Sequence, residues 1–186
     1  MYGTNVESNS TGGVMPAVGI QENCELVSVT MNTDKGGRLD FEFKQSNGAT
    51  VKHAEFPANP DFGDVEKQAT DVSRRVKHIA TKIMDEAMFT IDNVSSFEDY
   101  GNKVIALFGK KYEGIKFRML FIYKGKYVSL PKFPNFIENM SITADKTNIY
   151  ISDWNKKKLI KPEPDTTASS VETVTSMAAG GAEMPF

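Results

Sequence analysis

The sequence predicts a mainly β fold with a helical insertion, of the α+β class, and two observations support this prediction. Three short segments with alternating apolar and polar residues follow one another between residues 21 and 57, separated by glycine-containing turns. A long segment with apolar residues at three- and four-residue spacing then interrupts the strand pattern before further alternating segments begin. Strands joined by short turns pair antiparallel, so we expect an antiparallel sheet with flexible termini.

The first part of the chain predicts an arm followed by a meander of three strands. Residues 1–20 are rich in Gly, Ser, Thr and Asn, which predicts a flexible arm, and the ordered domain is expected over residues 21–161. The middle strand, residues 38–44, alternates apolar and charged side chains without interruption, as a half-buried antiparallel strand does. In the strand before it, strict alternation predicts that Leu26 and Val29 lie on opposite faces.

Two helices are predicted in the insertion, at about residues 62–91 and 96–108. Asp61 is the expected N-cap of the first helix, which carries one apolar stripe through to Ile91. The second helix opens at the spacing of a capping box and ends before Gly109, since glycine favours the position after a helix.

The last part of the domain predicts strands again, followed by a tail. Residues 115–130 form a strand, a turn and a return strand, and residues 129–139 are expected as a proline-punctuated connection. Residues 147–154 are predicted as the final strand. The composition of residues 162–186, rich in Ser, Thr, Ala and Gly, predicts a disordered acidic tail.

Charge is distributed unevenly along the chain, although the net charge is only −2. Residues 1–102 carry 9 Lys and Arg against 16 Asp and Glu, residues 103–161 carry 13 against 4, and residues 162–186 carry four acids and no base. Within the basic part, residues 103–132 hold eight bases, one acid and six aromatic residues. Bases interleaved with aromatic rings suit a protein that follows a phosphate backbone and stacks unpaired bases, although a solvated basic sheet face has the same pattern.

The residue types of an active site or a metal site do not occur in a recognisable arrangement. Cys24 is the single cysteine, which excludes an internal disulfide and a cysteine zinc cluster. His53 and Glu55 form the His-x-Glu half of a zinc deaminase signature, but no cysteine pair completes it. We therefore expect a binding protein that is not an enzyme and that uses no metal or other cofactor.

The order of these elements resembles the OB-fold, and this resemblance implies a partly open barrel of five antiparallel strands that binds oligonucleotides. The chain ends in Gly-Gly-Ala-Glu-Met-Pro-Phe, and such a barrel with a disordered linker and a Pro-Phe end is similar to the bacterial and phage single-stranded DNA-binding proteins. That resemblance implies protection of single-stranded DNA during replication, recombination and repair. It also implies a tail that recruits replication and recombination proteins. The tail residues implied in this contact are Glu183, Met184, Pro185 and Phe186.

The candidate DNA-binding residues are bases and aromatic side chains that the patterns leave exposed, and Trp154 is among them, with capping of the barrel end as its alternative role. They are Lys110, Lys111, Tyr112, Lys116, Arg118, Tyr123, Lys124, Lys126, Tyr127, Lys132, Phe133, Trp154, Lys156, Lys157 and Lys158.

Two other functions fit the same pattern. One is RNA binding on a related barrel, and the other is a phage structural or assembly protein whose basic hairpin contacts an acidic protein. The sequence shows neither a signal peptide nor an apolar stretch long enough for a membrane span. We therefore expect a cytoplasmic protein without a membrane partner, in the host cytoplasm if a phage encodes it.

Overall fold

The computed structural model describes residues 13–132 and 135–162, which form six strands and three α-helices. The strands are β1 (Gly19–Asn32), β2 (Arg38–Lys44), β3 (Thr50–Glu55), β4 (Phe117–Lys124), β5 (Tyr127–Ser129) and β6 (Ile137–Asn139). The helices are α1 (Val65–Ala80), α2 (Phe97–Phe108) and α3 (Asp153–Lys156). The predicted α+β class is confirmed, with six strands in place of the five expected.

The strands form one open sheet in the order β3–β2–β1–β4–β5, and β6 also pairs with β4. The predicted meander of β1, β2 and β3 is confirmed, with antiparallel pairing throughout. β1 has two partners, because residues 19–24 pair with β4 and residues 25–32 pair with β2. Gly19 and Ile20 were predicted in the flexible arm, but they belong to this sheet.

A β-bulge at Val27 changes which side chains of β1 face the core. Leu26 and Ser28 lie opposite neighbouring residues of β2, so Val27 is an extra residue on the β1 side of the ladder. The prediction that Leu26 and Val29 lie on opposite faces is wrong, since both are buried. A bulge inserts one residue and thereby shifts the alternation by one position, which a strict two-residue period does not include.

The core contains side chains from the sheet and from helices α1 and α2. Leu39, Phe41 and Phe43 of β2 are fully buried, as the alternation predicted. Ile79 of α1 and Phe108 of α2 are also fully buried. The rings of Phe41 and Phe108 meet edge to face with centroids 5.9 Å apart, a favourable geometry for two aromatic rings.

α1 is shorter than predicted at both ends. Its N-cap is Asp64, whose side chain accepts a hydrogen bond from the amide of Lys67, and the prediction of Asp61 as the cap is wrong. The helix ends well before Ile91, although the apolar periodicity continues to that residue. Ile91 packs against the core from a loop, so periodicity alone overestimates the length of this helix.

α2 agrees with the prediction to within one residue, since the capping-box spacing over residues 95–98 places the N-cap at Ser95 and the structure places it at Ser96. Ser96 accepts a hydrogen bond from the amide of Asp99 at the start of the helix, and Gly109 follows its last residue with a φ of +49° that favours glycine. No helix in the described part of the chain is long and apolar enough to cross a bilayer.

The strand predicted over residues 147–154 is wrong, and β6 lies in the segment that was expected as a connection. The amides of Asn148 and Ile149 donate hydrogen bonds to side-chain oxygens of Glu138 and Thr147, both at 3.1 Å. Side-chain acceptors of this kind compete with a strand ladder for the backbone donors. The segment therefore runs past β6 without pairing and leads into α3.

Candidate nucleic-acid interface

The β4–β5 hairpin presents an aromatic ring and a lysine to solvent. Lys124 pairs with Tyr127 across a two-residue turn of Gly125 and Lys126, and Gly125 has a φ of +59° that glycine adopts without strain. Tyr127 is 67% exposed. The ammonium of Lys126 lies over its ring, 5.3 Å from the centroid, within the range of a cation–π interaction.

α3 and the turn after it repeat this arrangement. Trp154 is 73% exposed, and the Nζ atom of Lys158 lies 4.9 Å from its ring centroid. Ser152 caps α3 by accepting a hydrogen bond from the amide of Asn155, and Asn155 and Leu159 point inward, which turns the indole outward. Trp154 therefore does not cap the end of the sheet, and the alternative role that the sequence left open is excluded.

Tyr127 lies on β5, which pairs with the end of β4, and Trp154 lies on α3, which leads into residues 157–159. β4 and residues 157–159 approach within 8 Å between Cα atoms. We call the exposed rings and the solvent-accessible lysines of the hairpin and of α3 with its following turn the basic aromatic surface. Its members are Lys124, Lys126, Tyr127, Trp154, Lys157 and Lys158.

Other lysines predicted to bind DNA differ in whether they have an acidic partner. Lys110 pairs with Glu113 at 3.8 Å, Lys156 pairs with Asp153 at 2.7 Å, and Lys116 pairs with Glu25. The Lys116 ammonium holds the pKa of Glu25 below its ordinary value. Among the described residues, the lysines without an ion pair are those of the basic aromatic surface together with Lys82, Lys111, Lys132 and others outside the predicted set.

Of the three other aromatic residues predicted to bind DNA, two are less exposed than Tyr127 and Trp154, and the third lies outside the described residues. Tyr112 is half-buried and packs against the core, and Tyr123 at the end of β4 is also half-buried. Phe133 lies outside the described residues, as do the four tail residues of the predicted partner contact. Tyr150 was not predicted, yet it is exposed four positions before Trp154. Alternation of Ile149 and Ile151 toward the core would have identified it.

The prediction that Arg118 lies on an exposed face is wrong. Its side chain is 5% exposed and donates to Glu138 Oε1 at 2.6 Å and to Glu22 Oε1 at 2.9 Å. Glu138 also accepts hydrogen bonds from the Thr147 hydroxyl and the Asn148 amide. Burial alone would raise the pKa of Glu138, but these hydrogen bonds outweigh it and hold the pKa below its ordinary value.

Arg118 was predicted to be exposed, but the part of β4 that contains it is covered by other elements. Residues 117–122 of β4 are all buried, since β1 and β6 flank this part of the strand and other elements cover both faces. The alternating sequence resembles a half-exposed strand, but its basic residue neutralises two carboxylates in place of facing solvent.

A second buried cluster of charge joins β3 to α1. Arg75 donates to both carboxylate oxygens of Glu55, at 2.6 and 2.5 Å, and His53 Nε2 lies 2.9 Å from Glu55 Oε1. Burial opposes ionisation of Glu55, but its hydrogen bonds with Arg75 and His53 lower its pKa overall. No group of three or more His, Cys, Asp or Glu in residues 13–132 and 135–162 is arranged to hold a metal ion.

His78 on α1 is a different kind of buried group. Burial and the nearby Lys82 ammonium lower its pKa to about 4, and its ring packs edge to face on Phe136 with centroids 5.1 Å apart. It therefore stays uncharged at neutral pH.

Comparisons of this chain with family models, with curated proteins and with solved structures found no match.

Proposed function

We propose that this protein binds single-stranded DNA without sequence specificity through the basic aromatic surface. The observation that carries the proposal is a repeated pair: two largely exposed rings, Tyr127 and Trp154, each with a lysine ammonium over its face. Nonpolar rings of this size are costly to leave in water unless a partner covers them. An unpaired base offers the flat face that such a ring stacks on.

The lysines of the surface supply affinity that does not depend on sequence. A lysine that neutralises a phosphate releases a condensed counterion, and this gain is the same whichever base the nucleotide carries. Lys124, Lys126 and Lys157 have no acidic partner among the described residues, so contact with phosphate breaks no ion pair. Bases in a duplex are stacked on one another, so Tyr127 and Trp154 favour a single strand over a duplex.

The same proposal includes the OB-fold as the finer description of the sheet. The order β3–β2–β1–β4–β5 supports it, as does the approach of β3 and β5, its two ends, to within 8 Å between Cα atoms. The helical insertion between β3 and β4 agrees with that fold as well. OB-folds use the loop between their fourth and fifth strands to bind oligonucleotides, and here that loop carries Lys126.

We extend the proposal to the setting that the resemblance implies. A single-strand binding protein would protect DNA during replication, recombination or repair, and residues 183–186 would contact partner proteins. A tail deletion that leaves oligonucleotide binding intact but abolishes capture of a replication or recombination protein would support this extension.

The test of DNA binding is a titration of the full chain with labelled oligo-dT, with the matching duplex and with oligo-U, each at two salt concentrations. Trp154 is the single tryptophan, so quenching of its fluorescence reports stacking directly. We expect oligo-dT to bind more tightly than the duplex, to quench Trp154 and to weaken steeply with salt.

Other outcomes of the titration identify the rival functions. A preference for oligo-U over oligo-dT would move the proposal to RNA, because the 2′-hydroxyl is the group that differs at the sugar. Equal binding of oligo-dT, the duplex and an acidic polypeptide would contradict nucleic-acid recognition. That result would favour an acidic protein as the partner of the hairpin.

A further inference from the structure

The loop before α1 holds an aromatic side chain in water on a well-fixed backbone. Phe62 is 82% exposed. The side-chain amide of Gln68 holds the loop in place. Its Nε2 donates to the backbone carbonyls of Asn59 and Gly63 at 2.9 and 3.2 Å. Its Oε1 accepts from the backbone amide of Asn59 at 3.1 Å. Asn59 in turn accepts from the amide of Asp61 at 2.8 Å. Four hydrogen bonds therefore fix a loop whose most exposed side chain is apolar.

The surroundings of Phe62 are acidic. Asp61, Asp64 and Glu66 are all exposed, and Lys67 is the one base between residues 56 and 67. A partner for this loop, which we call the Phe62 loop (residues 59–64), therefore needs apolar side chains next to basic ones.

An open depression with both kinds of side chain lies at the other end of α1. It has a volume of about 430 Å³ and lies between the chain that leaves the helix and the turn after α2. Ile83, Met84 and Met88 form its apolar part, and Met88 is 52% exposed although it is a large hydrophobic residue. We call it the Met88 cavity.

The charge of the Met88 cavity is complementary to that of the Phe62 loop. Lys82 and Lys111 line it, and neither has an ion pair among the described residues. Asp85 is the one acid that lines it. Two lysines against one aspartate leave a positive balance at the cavity, and three acids against one lysine leave a negative balance at the loop.

The Phe62 loop and the Met88 cavity cannot meet within one molecule. They lie at opposite ends of α1, whose 16 residues extend about 24 Å at 1.5 Å per residue. We propose that the Phe62 loop of one copy docks into the Met88 cavity of a second copy, with Phe62 against the methionines and the acidic residues against Lys82 and Lys111. After pairing, one copy keeps its cavity free and the other keeps its loop free, so the association is head to tail and continues to further copies.

The contact is small compared with the interface of a permanent dimer. One aromatic side chain with its charged neighbours buries less than the roughly 1,200–2,000 Å² of a stable interface. The association is therefore weak and reversible, increases with protein concentration and weakens with added salt. It requires no DNA, so its test is independent of the proposed function.

The test uses complementation between two variants of the full chain in sedimentation velocity over a concentration series. Phe62→Ser removes the side chain that docks and leaves the cavity intact, whereas Met88→Glu blocks the cavity and leaves the loop intact. We expect the wild-type protein to form species larger than a dimer as concentration rises, and each variant alone to stay monomeric. A mixture of the two variants should form dimers and nothing larger, since only one loop and one cavity can pair.

Controls make this pattern specific. Val94→Glu places the same charge on another exposed apolar residue and should associate as the wild type does. Lys111→Glu should weaken association about ten- to a hundredfold, and adding Asp61→Lys to the same chain should restore part of the loss. Circular dichroism checks that every variant is folded.

Three results would overturn the proposal. They are a wild-type protein that stays monomeric at its highest concentration, a Phe62→Ser or Met88→Glu variant that associates like the wild type, and a variant mixture that forms no dimer.

Discussion

Two parts of the molecule place basic side chains in different surroundings. Around Arg118 the guanidinium is buried and bonded to Glu138 and Glu22. On the basic aromatic surface the lysines are solvent-accessible, and two of them lie over the rings of Tyr127 and Trp154. A count of bases along the sequence gives both regions the same weight. A charge that is paired and buried stabilises the fold, whereas a charge that is unpaired and solvent-accessible is available to a ligand.

The largest effect should follow from removing one partner of the buried pair. Glu138→Ala leaves Arg118 buried beside only the half-exposed Glu22, and breaking such a pair costs about 3–5 kcal/mol of unfolding free energy. Urea denaturation measures this loss. Replacing both residues with apolar ones, Arg118→Met with Glu138→Leu, should recover most of it. If the unfolding free energy of Glu138→Ala lies within about 1 kcal/mol of the wild-type value, the buried pair does not stabilise the fold as we expect.

Substitutions of the two exposed rings should act on binding and not on stability. Trp154→Ala and Tyr127→Ala should each weaken oligo-dT binding by about 1–3 kcal/mol, since each removes a stacking surface. Anisotropy titration measures the affinity. The unfolding free energy should change by no more than about 0.5 kcal/mol, as for other exposed residues. Phe56→Ala is the matched control, an exposed ring outside the basic aromatic surface, and an equal loss there would contradict the assignment.

Unpaired and paired lysines should differ in the salt dependence of binding. Lys126→Ala and Lys157→Ala should each lower the slope of log affinity against log salt by about 0.7, the contribution of one phosphate contact to a single strand. Lys116 already pairs with Glu25, so Lys116→Ala should change the slope less. Equal changes in all three variants would show that pairing does not decide which lysines meet phosphate.

A separate effect of pH concerns His78, whose charge is suppressed by its surroundings. Its pKa is about 4 in the folded protein against an ordinary 6.5, so below pH 6.5 the unfolded chain binds a proton that the folded chain does not. The unfolding free energy should therefore fall as pH decreases from 6.5 toward 4. His78→Phe should flatten this slope in urea denaturation at a series of pH values. The pKa values of Glu55 and Glu138 are also lowered, but the stability that their ionised forms contribute to the protein is lost only below about pH 4.5.

The parts of the fold that local patterns determine were predicted from the sequence. The alternation of β2 and the end of α2 before Gly109 each depend on a few neighbouring residues, and both predictions are confirmed. The bulge at Val27 and the end of α1 were not predicted. They depend on which distant element covers a side chain, and a periodic pattern does not contain that information.

The candidate site divides in the same way. The hairpin turn at Gly125 placed Lys126 and Tyr127 at the surface, as the sequence predicted. Arg118 has the same residue type and a similar position in an alternating strand, but its acidic partners come from 96 and 20 residues away. Nothing near Arg118 in the sequence identifies those carboxylates, so its burial could not be predicted.

Because β1 pairs with two different strands, its two halves find their partners at different times during synthesis of the chain. The half that pairs with β2 finds its partner as soon as the next strand leaves the ribosome. The other half waits for β4, which begins at Phe117, long after β3 ends at Glu55. At about 5–20 residues per second that interval lasts several seconds, during which one hydrogen-bonding edge of the nascent chain is open. The polar residues Gln21, Glu22 and Asn23 in that half, and the left-handed backbone of Asn23, make it a poor template for a wrong strand while it waits.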